Sequence, residues 1–381
     1  MYLEWSHTQQ AAYSEHVTFA KEELSDDVVE RDRQSVFADA LWKKCADKGL
    51  LKLPIPTSQG GHGQDILTTT RILDAIGYGC RDNGLGFALG AQIWGSQMAL
   101  SHFGSADQIA TYLHPSMQGE KIAAYAMTEP GTGSDVFNVK TTAEAIGDCY
   151  QLNGEKALIT FAPIAHYAIV FASTNPQAGQ WGLSAFIIDT NTPGLKLGPN
   201  EEKMGLRTVP FGKISMNNCQ VPRSALLGKE GAGASIFSYS QGWERSLVLA
   251  PQLGAMQWQL EHCVDFARNH ERFDQSIGQF QSVSHRLADM RLRLETAGLL
   301  LYRTADLLQQ GQPSLMQAAM TKTLISEAFV SSSQDAIAIF GGRGYTVNQG
   351  IERNLRDAIG ATIYGGTSNV QRNIIAGLMG L

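Results

Sequence analysis

Apolar residues recur at helical intervals over the first third of the chain. In DRQSVFADALWKKCADKGL, Val36, Phe37, Ala40, Leu41 and Cys45 fall on one face and Gly49 stops the run, so one helix is expected. QGGHGQD (residues 59–65) breaks the pattern as a loop, and ILTTTRILDAIGYGC resumes it. From about residue 123 the period shortens. AIVFAST, LSAFIIDT and KISMNNCQV are short β-rich runs parted by Gly, Pro and Asn turns, the pattern of a small barrel or sandwich. From about residue 223 the helical period returns in long stretches such as RLADMRLRLETAGLLLYRTADLLQQ. The expected fold class is α+β in three units: helices over 1–122, strands over 123–222 and helices over 223–381. No GxGxxG follows a predicted strand, so the mark of a Rossmann domain is missing.

Composition narrows this little but usefully. A chain of 381 residues exceeds the usual single domain of about 100–200 residues, in keeping with several units. A net charge of −6 argues against a nucleic-acid partner, which would call for a basic surface. The opening MYLEWSHTQQ lacks the basic-then-apolar order of a signal peptide, and no apolar run approaches the roughly 20 residues of a membrane helix. A cytoplasmic protein without a membrane partner is expected. Five cysteines with no CxxC pair support neither a disulfide framework nor a zinc site. His62, His166 and His285 show no metal-ligand spacing, so no metal is expected.

Candidate chemistry begins with YAMTEPGTGSDVFNVKTTAE (residues 125–144). Gly131 and Gly133 let the backbone of EPGTGSD approach a ligand closely, and its N–H groups with the Thr128, Thr132 and Ser134 hydroxyls suit phosphate oxygens or a ring carbonyl. An ordinary structural turn fits the same residues.

The stretch resembles the signature of the acyl-CoA dehydrogenase family, flavoproteins with this three-unit order, and the likeness covers nearly the whole chain. EKALITFAP (155–163) looks like the family's second flavin-contacting strand, with Thr160 beside the reactive ring. KMGLRT (203–208), GGRGY (341–345) and GTSNVQR (366–372) are similar to three further landmarks. The resemblance implies a middle β-barrel, a C-terminal four-helix bundle, a homotetramer and non-covalent FAD between the middle and C-terminal units. It places Tyr125, Met127, Thr128, Gly133, Ser134, Leu158, Thr160, Thr367 and Asn369 at the cofactor, with Gly341 and Gly342 contributing. Two departures stand out. In HERFDQ, His270 occupies the position of an arginine that reaches the FAD diphosphate of a neighbouring subunit, while Phe273 is kept. Leu158 and Phe161 stand where Trp and Asn are common, so the flavin's face is expected to be lined differently. His166 follows the strand closely enough to be a minor candidate at the flavin.

Oxidising a saturated acyl thioester needs a base for the Cα proton and an acceptor for the Cβ hydride. In most of the family the base is a Glu just before GTS. In IYGGTSNVQR that position is Gly365, which accepts no proton. In SYSQGWERSLVLAPQLGAMQ (238–257), Trp243, Leu247 and Ala250 are spaced for packing, and Glu244 lies a hundred degrees round from Trp243, beside Arg245. An exposed charge pair fits these residues as well. The segment also resembles the isovaleryl-CoA dehydrogenase branch, where the base sits in this helix and the C-terminal Glu is absent. That likeness implies Glu244 as the catalytic base, its pKa raised by desolvation, with Arg245, Gly365 and Gly366 on the substrate side. Pro251 is expected to bend the helix beyond the base.

ALWKKCADKGL (40–50), GQFQSVSHRLADMRLRLE (278–295), KTLISE (322–327) and GWER look like the L-prolyl carrier-protein dehydrogenases and oxidases of secondary metabolism, toxin biosynthesis included. The likeness implies oxidation of a prolyl thioester, held on a carrier protein's phosphopantetheine, to a pyrroline thioester. An isovaleryl-type short branched-chain acyl-CoA dehydrogenase is the alternative, and a silent member of the fold, suggested by Gly365, is a third.

Overall fold

Helices in the first unit are shorter than their apolar pattern suggests. The computed structural model describes residues 4–25, 27–312 and 314–381, so Met1 to Leu3 of the opening stretch lie outside the described residues. It contains α1 (His7–Glu23), α2 (Val28–Gln34), α3 (Asp39–Asp47) and α4 (Ile66–Gly79). The single helix expected from residue 32 onward is two. Ser35 takes a left-handed φ of 56° and ends α2, which leaves Val36 exposed rather than in the core. Leu41 and Cys45 keep the buried face on α3, and Gly49 follows it at φ 82°. The Asp65 side chain caps α4 by accepting from the Thr68 N–H. α5 (Asn83–Gly90) runs through a π-helical stretch, Ala91–Gln97, into α6 (Met98–Phe103). A second such stretch, Ile109–Leu113, joins α7 (Ala106–Gln108) to α8 (His114–Met117).

The middle unit is one sheet of β1 (Ala123–Ala126), β2 (Thr142–Ile146), β3 (Cys149–Thr160), β4 (Tyr167–Ser173), β5 (Leu183–Asp189), β6 (Leu195–Leu197), β7 (Phe211–Pro222) and β8 (Leu226–Leu227). The strand order is β6-β7-β3-β2-β4-β5-β8, with β1 added in parallel to β4. Side chains alternate between two cores, as the two-residue period of a strand requires. On β4, Tyr167, Ile169 and Phe171 join the core shared with the helices. Ala168, Val170 and Ala172 join a separate core with Leu152, Phe186 and Met216. Leu195 of β6 and Phe186 of β5, far apart in the strand order, belong to that same second core, so the sheet curls over itself. It is a barrel left open, since no β6–β8 pairing occurs among the described residues.

Helices resume with α9 (Gly233–Leu247) and α10 (Ala250–Asn269). A short hairpin of β9 (Glu271–Arg272) and β10 (Gln275–Ser276) leads to α11 (Gln281–Gln309), α12 (Leu315–Phe340), α13 (Ile351–Ala361) and α14 (Ser368–Leu378). Pro251 does not bend a continuous helix. It sits in the first turn of α10, where its missing N–H would have had no partner, and α9 has already stopped at Leu247. α10, α11 and α12 pack against one another through Leu260, Leu294, Leu301, Ile325 and Phe329, and α4 lies against α10. The KMGLRT loop fastens the middle unit to both helical units. Asp357 accepts from the Leu206 N–H, the Thr208 hydroxyl donates to Asp82 at 2.6 Å, and Arg207 Nε donates to the Asp32 carbonyl. No helix among the described residues is long and apolar enough to cross a membrane. All five cysteines are free, with Cys149 alone not fully buried.

Candidate active site

The three units enclose a cavity of about 380 Å³. One wall is the turn after β1, built on a buried ion pair. Lys156 Nζ, fully buried, donates to Glu129 Oε1 at 2.8 Å and to the Met127 carbonyl at 3.1 Å. Glu129 also accepts from the Lys140 and Thr141 N–H groups, so one carboxylate closes the whole loop. Tyr125, Met127, Thr128, Gly133 and Ser134 from this turn line the cavity. The Gly133 and Ser134 N–H groups donate to no protein acceptor among the described residues, and a Cβ on Gly131 or Gly133 would meet only open space.

The second wall is the end of β3. Its pairing with β7 slips between Lys156 and Ile159, and Leu158 and Phe161 take left-handed φ values of 60° and 67°. Such backbone costs about 1–2 kcal/mol per non-glycine residue and is found where function over-rides it. The distortion lets Leu158, 57% exposed, and Thr160 face the cavity. Phe161 lies at its edge and packs against Phe37 and Trp42 with ring centroids 5.9 Å apart.

The third wall is α9. Trp243 stacks 6.1 Å from the buried Trp94, which turns Gln241, Glu244 and Arg245 toward the cavity. The exposed-pair reading of Glu244 and Arg245 does not hold, because both are half-buried and line the cavity. Gln241 Nε2 donates to Glu244 Oε2 at 2.7 Å. Burial pushes the Glu244 carboxyl above its ordinary range, against the restraint of Arg245, Gln241 and Lys322. Arg245 Nε donates to the Gly365 carbonyl at 3.2 Å, and Gln371 Nε2 donates to the Gly365 and Gly366 carbonyls, each at 3.0 Å. The segment that carries the base in most of the resembling family is thus clamped as bare backbone. Gly365 has φ 63°, and a Cβ there would meet nothing within 4 Å.

Several lining residues were not read from the sequence. Tyr364 packs 4.6 Å from Phe87, and its hydroxyl accepts from Gln252 Nε2 at 3.0 Å. Burial drives both Tyr364 and Tyr125 up, so each stays a neutral hydroxyl. The π-helical stretch turns Ala91, Gly95 and Ser96 to the cavity, a placement that a straight α-helical period misses. Gln241 was signalled by its position three residues before Glu244 on one helix face.

Other expected residues lie elsewhere. Asn369 is exposed on the first turn of α14, although Thr367, the N-cap of that helix, lines the cavity. His270 stacks on Phe266 at 4.7 Å in a separate cleft with Phe340 and Arg343. Phe273 is 88% exposed at the tip of the β9–β10 hairpin, and Gly341 and Gly342 follow the end of α12. His166 Nδ1 accepts from the Ile122 N–H and ties the start of β1 to β4, away from the cavity. No group of three or more His, Cys, Asp or Glu among the described residues could hold a metal ion.

The cavity residues fit FAD. The free Gly133 and Ser134 N–H groups, the Thr128, Thr160 and Thr367 hydroxyls and the positive end of α14 suit polar ring atoms and phosphates, while Leu158 offers an apolar surface to a flat ring. Known proteins place the chain. Residues 6–120, 124–219 and 231–379 match, in order, the N-terminal, middle and C-terminal domains of acyl-CoA dehydrogenases. The L-prolyl-[peptidyl-carrier protein] dehydrogenase of Pseudomonas fluorescens is 42% identical over 341 residues, 89% of this chain and 90% of its own. The crystal structure of the prolyl acyl carrier protein oxidase AnaB is 42% identical and superposes with a TM-score of 0.98 over 99% of this chain and 100% of that one. The structure of PigA with FAD and proline is 39% identical, with a TM-score of 0.97 over 100% of both chains. With all three domains present in order and this likeness over nearly its full length, the chain belongs to the acyl-CoA dehydrogenase family.

Proposed function

We propose that this chain is an FAD-dependent oxidoreductase that converts a prolyl thioester, tethered to the phosphopantetheine of a carrier protein, into a pyrroline thioester. One observation carries the reading: Glu244 faces the cavity while Gly365 leaves the usual base position bare, in a chain 42% identical to a prolyl carrier-protein dehydrogenase. Two of the most similar solved structures, AnaB and PigA, are named for a prolyl carrier substrate or for FAD and proline, which supports this substrate over an isovaleryl-type CoA ester.

When bound, FAD supplies the acceptor for the Cβ hydride. Glu244 takes the Cα proton: the C–H bond breaks and an O–H bond forms at the carboxylate oxygen that Gln241 does not hold. The ring loses one proton and one hydride, and the resulting enamine tautomerises to the cyclic imine. Burial raises the Glu244 pKa and so strengthens it as a base. Arg245 and Gln371 fix the Gly365–Gly366 backbone at the edge of the reacting space. The turn over residues 125–134, Leu158, Thr160 and Thr367 would hold FAD. His270, Phe273, Gly341 and Gly342 would reach the FAD of a neighbouring copy, which is why a homo-oligomer, a tetramer, is proposed.

Anaerobic mixing of the yellow holoenzyme with prolyl-loaded carrier protein tests the reading. The flavin should bleach with formation of a product lighter by two hydrogens. Equal bleaching by isovaleryl-CoA at the same concentration would favour the branched-chain alternative.

A further inference from the structure

Three polar side chains that line the cavity with Glu244 are already engaged. Gln241 Nε2 is bonded to Glu244, the Tyr364 hydroxyl to Gln252 and Arg245 Nε to the Gly365 carbonyl. Two hydroxyls differ from these. Tyr125 Oη and Ser240 Oγ are both buried, and neither has a hydrogen-bond partner among the described residues. A buried polar group without a partner is unfavourable, so two close to one site call for an explanation.

Packing fixes where they sit. The Tyr125 ring lies nearly parallel to Phe237 of α9, with centroids 6.3 Å apart, and edge-on to Phe171 of β4 at 5.2 Å. Phe237, Ser240, Gln241 and Glu244 stand at positions i, i+3, i+4 and i+7 of α9, which form one face of the helix. Tyr125, Phe237, Gln241 and Glu244 all line the same cavity, so Tyr125 and the base border one space. Ser240 lies one turn before Glu244 and is fully buried. Burial pushes the Tyr125 hydroxyl up, Ser240 restrains it and Glu244 adds to the rise, so the group stays a neutral O–H.

A prolyl thioester differs from a plain acyl thioester by the ring N–H beside Cα, the atom that gives its proton to Glu244. A neutral hydroxyl can accept that N–H at oxygen and still pass its own hydrogen on. We propose that Tyr125 is a specificity-determining residue: its hydroxyl oxygen accepts the ring N–H of the prolyl group while its hydrogen turns to Ser240 Oγ, which selects a cyclic amino-acyl thioester over one without nitrogen. One substrate donor then satisfies both unpaired hydroxyls. Holding the nitrogen and the tethered carbonyl together also fixes the direction of the Cα hydrogen, the geometric requirement for its transfer to Glu244. The inference rests on the prolyl reading of the proposed function, and it gives Tyr125 a contact with substrate beyond its place in the turn that would hold FAD.

Anaerobic flavin reduction by the holoenzyme tests it with two loaded carriers. One bears a prolyl thioester and the other a cyclopentanecarbonyl thioester, the same ring with CH₂ in place of N–H. Wild type should favour the prolyl carrier by at least about tenfold in reduction rate over dissociation constant, because the carbocycle leaves the hydroxyls unpaired. Tyr125→Phe, which keeps the ring against Phe237 and Phe171, should lower that preference at least about fivefold. The ratio cancels any general loss of flavin or rate in the variant. An unchanged preference in Tyr125→Phe would overturn the proposal. So would a wild type that does not distinguish the carriers, a result that needs no variant. Bleaching of wild type by neither carrier would instead overturn the prolyl reading, and the inference with it.

Discussion

Glu244→Gln removes the proton acceptor and little else. The amide matches the carboxylate in size, and its oxygen can still accept the 2.7 Å bond from Gln241. Arg245 remains on the Gly365 carbonyl, so the clamp on the opposite segment is untouched. The lost charge relieves desolvation but forfeits attraction to Arg245 and Lys322, and these act in opposite directions on stability. A positioned general base contributes about 100- to 10,000-fold, or roughly 2.7–5.5 kcal/mol of barrier, and nothing else lining this cavity replaces it. Stopped-flow flavin reduction by prolyl-loaded carrier under anaerobic conditions should slow by that factor, with flavin content and substrate affinity nearly unchanged. The pH dependence has a definite sign. Glu244 is raised and must be ionised to act, so the wild-type rate should climb with pH through a midpoint above the ordinary carboxylate value, a limb the variant lacks. Adding Gly365→Glu should return part of the rate. A side chain at 365 enters open space, but its φ of 63° costs about 1–2 kcal/mol for a non-glycine residue. A Glu244→Gln enzyme that reduces its flavin within tenfold of wild type would refute the assignment.

Other perturbations probe the frame around the site. Lys156→Met leaves the Glu129 carboxylate buried without its cation and should cost about 3–5 kcal/mol in denaturant unfolding, with loss of flavin; a change under about 1 kcal/mol would contradict the role given to the pair. Asp74, buried and bonded to Tyr302 and Arg71, is raised by burial to about 6 from 3.8, so the folded state holds its proton where the unfolded chain has released it. The stabilisation from that proton is full below the unfolded value and lost as pH rises through the folded one, so Asp74→Asn should destabilise more at pH 5 than at pH 7.5, by about 1 kcal/mol in urea titrations at the two values. His270 is held below its ordinary pKa by desolvation and by Arg272 and Arg343, so it is neutral at pH 8. On dilution, Arg at position 270 should retain more FAD at pH 8 than wild type, and His270→Ala should match wild type at pH 8 but lose more at pH 5.5; pH-independent retention in wild type would count against a cationic role.

Features that depend only on neighbours along the chain are legible in the residues alone. The apolar period and the Asp65 cap set α4, two-residue alternation set the two faces of β4, and Gly365 in place of a carboxylate is plain in the residues themselves. Motif order carried the family and pointed to Glu244. Helical periodicity, however, fixes a residue's angle only within its own helix. Glu244 could have faced water until the packing of Trp243 on Trp94 turned its side of α9 inward. The clamp on Gly365 joins residues 120 positions apart, and the Tyr364–Gln252 bond joins residues 112 apart, spacings on which no local pattern reports. Ser35 breaking a helix, and Leu158 and Phe161 held at positive φ, run against local preference, so only surrounding contacts could decide them. Tyr125 shows the same limit most plainly. Its place in YAMTEP was legible, but whether its hydroxyl is buried without a partner depends on what surrounds it after folding, and β1 and α9 settle that only when they meet.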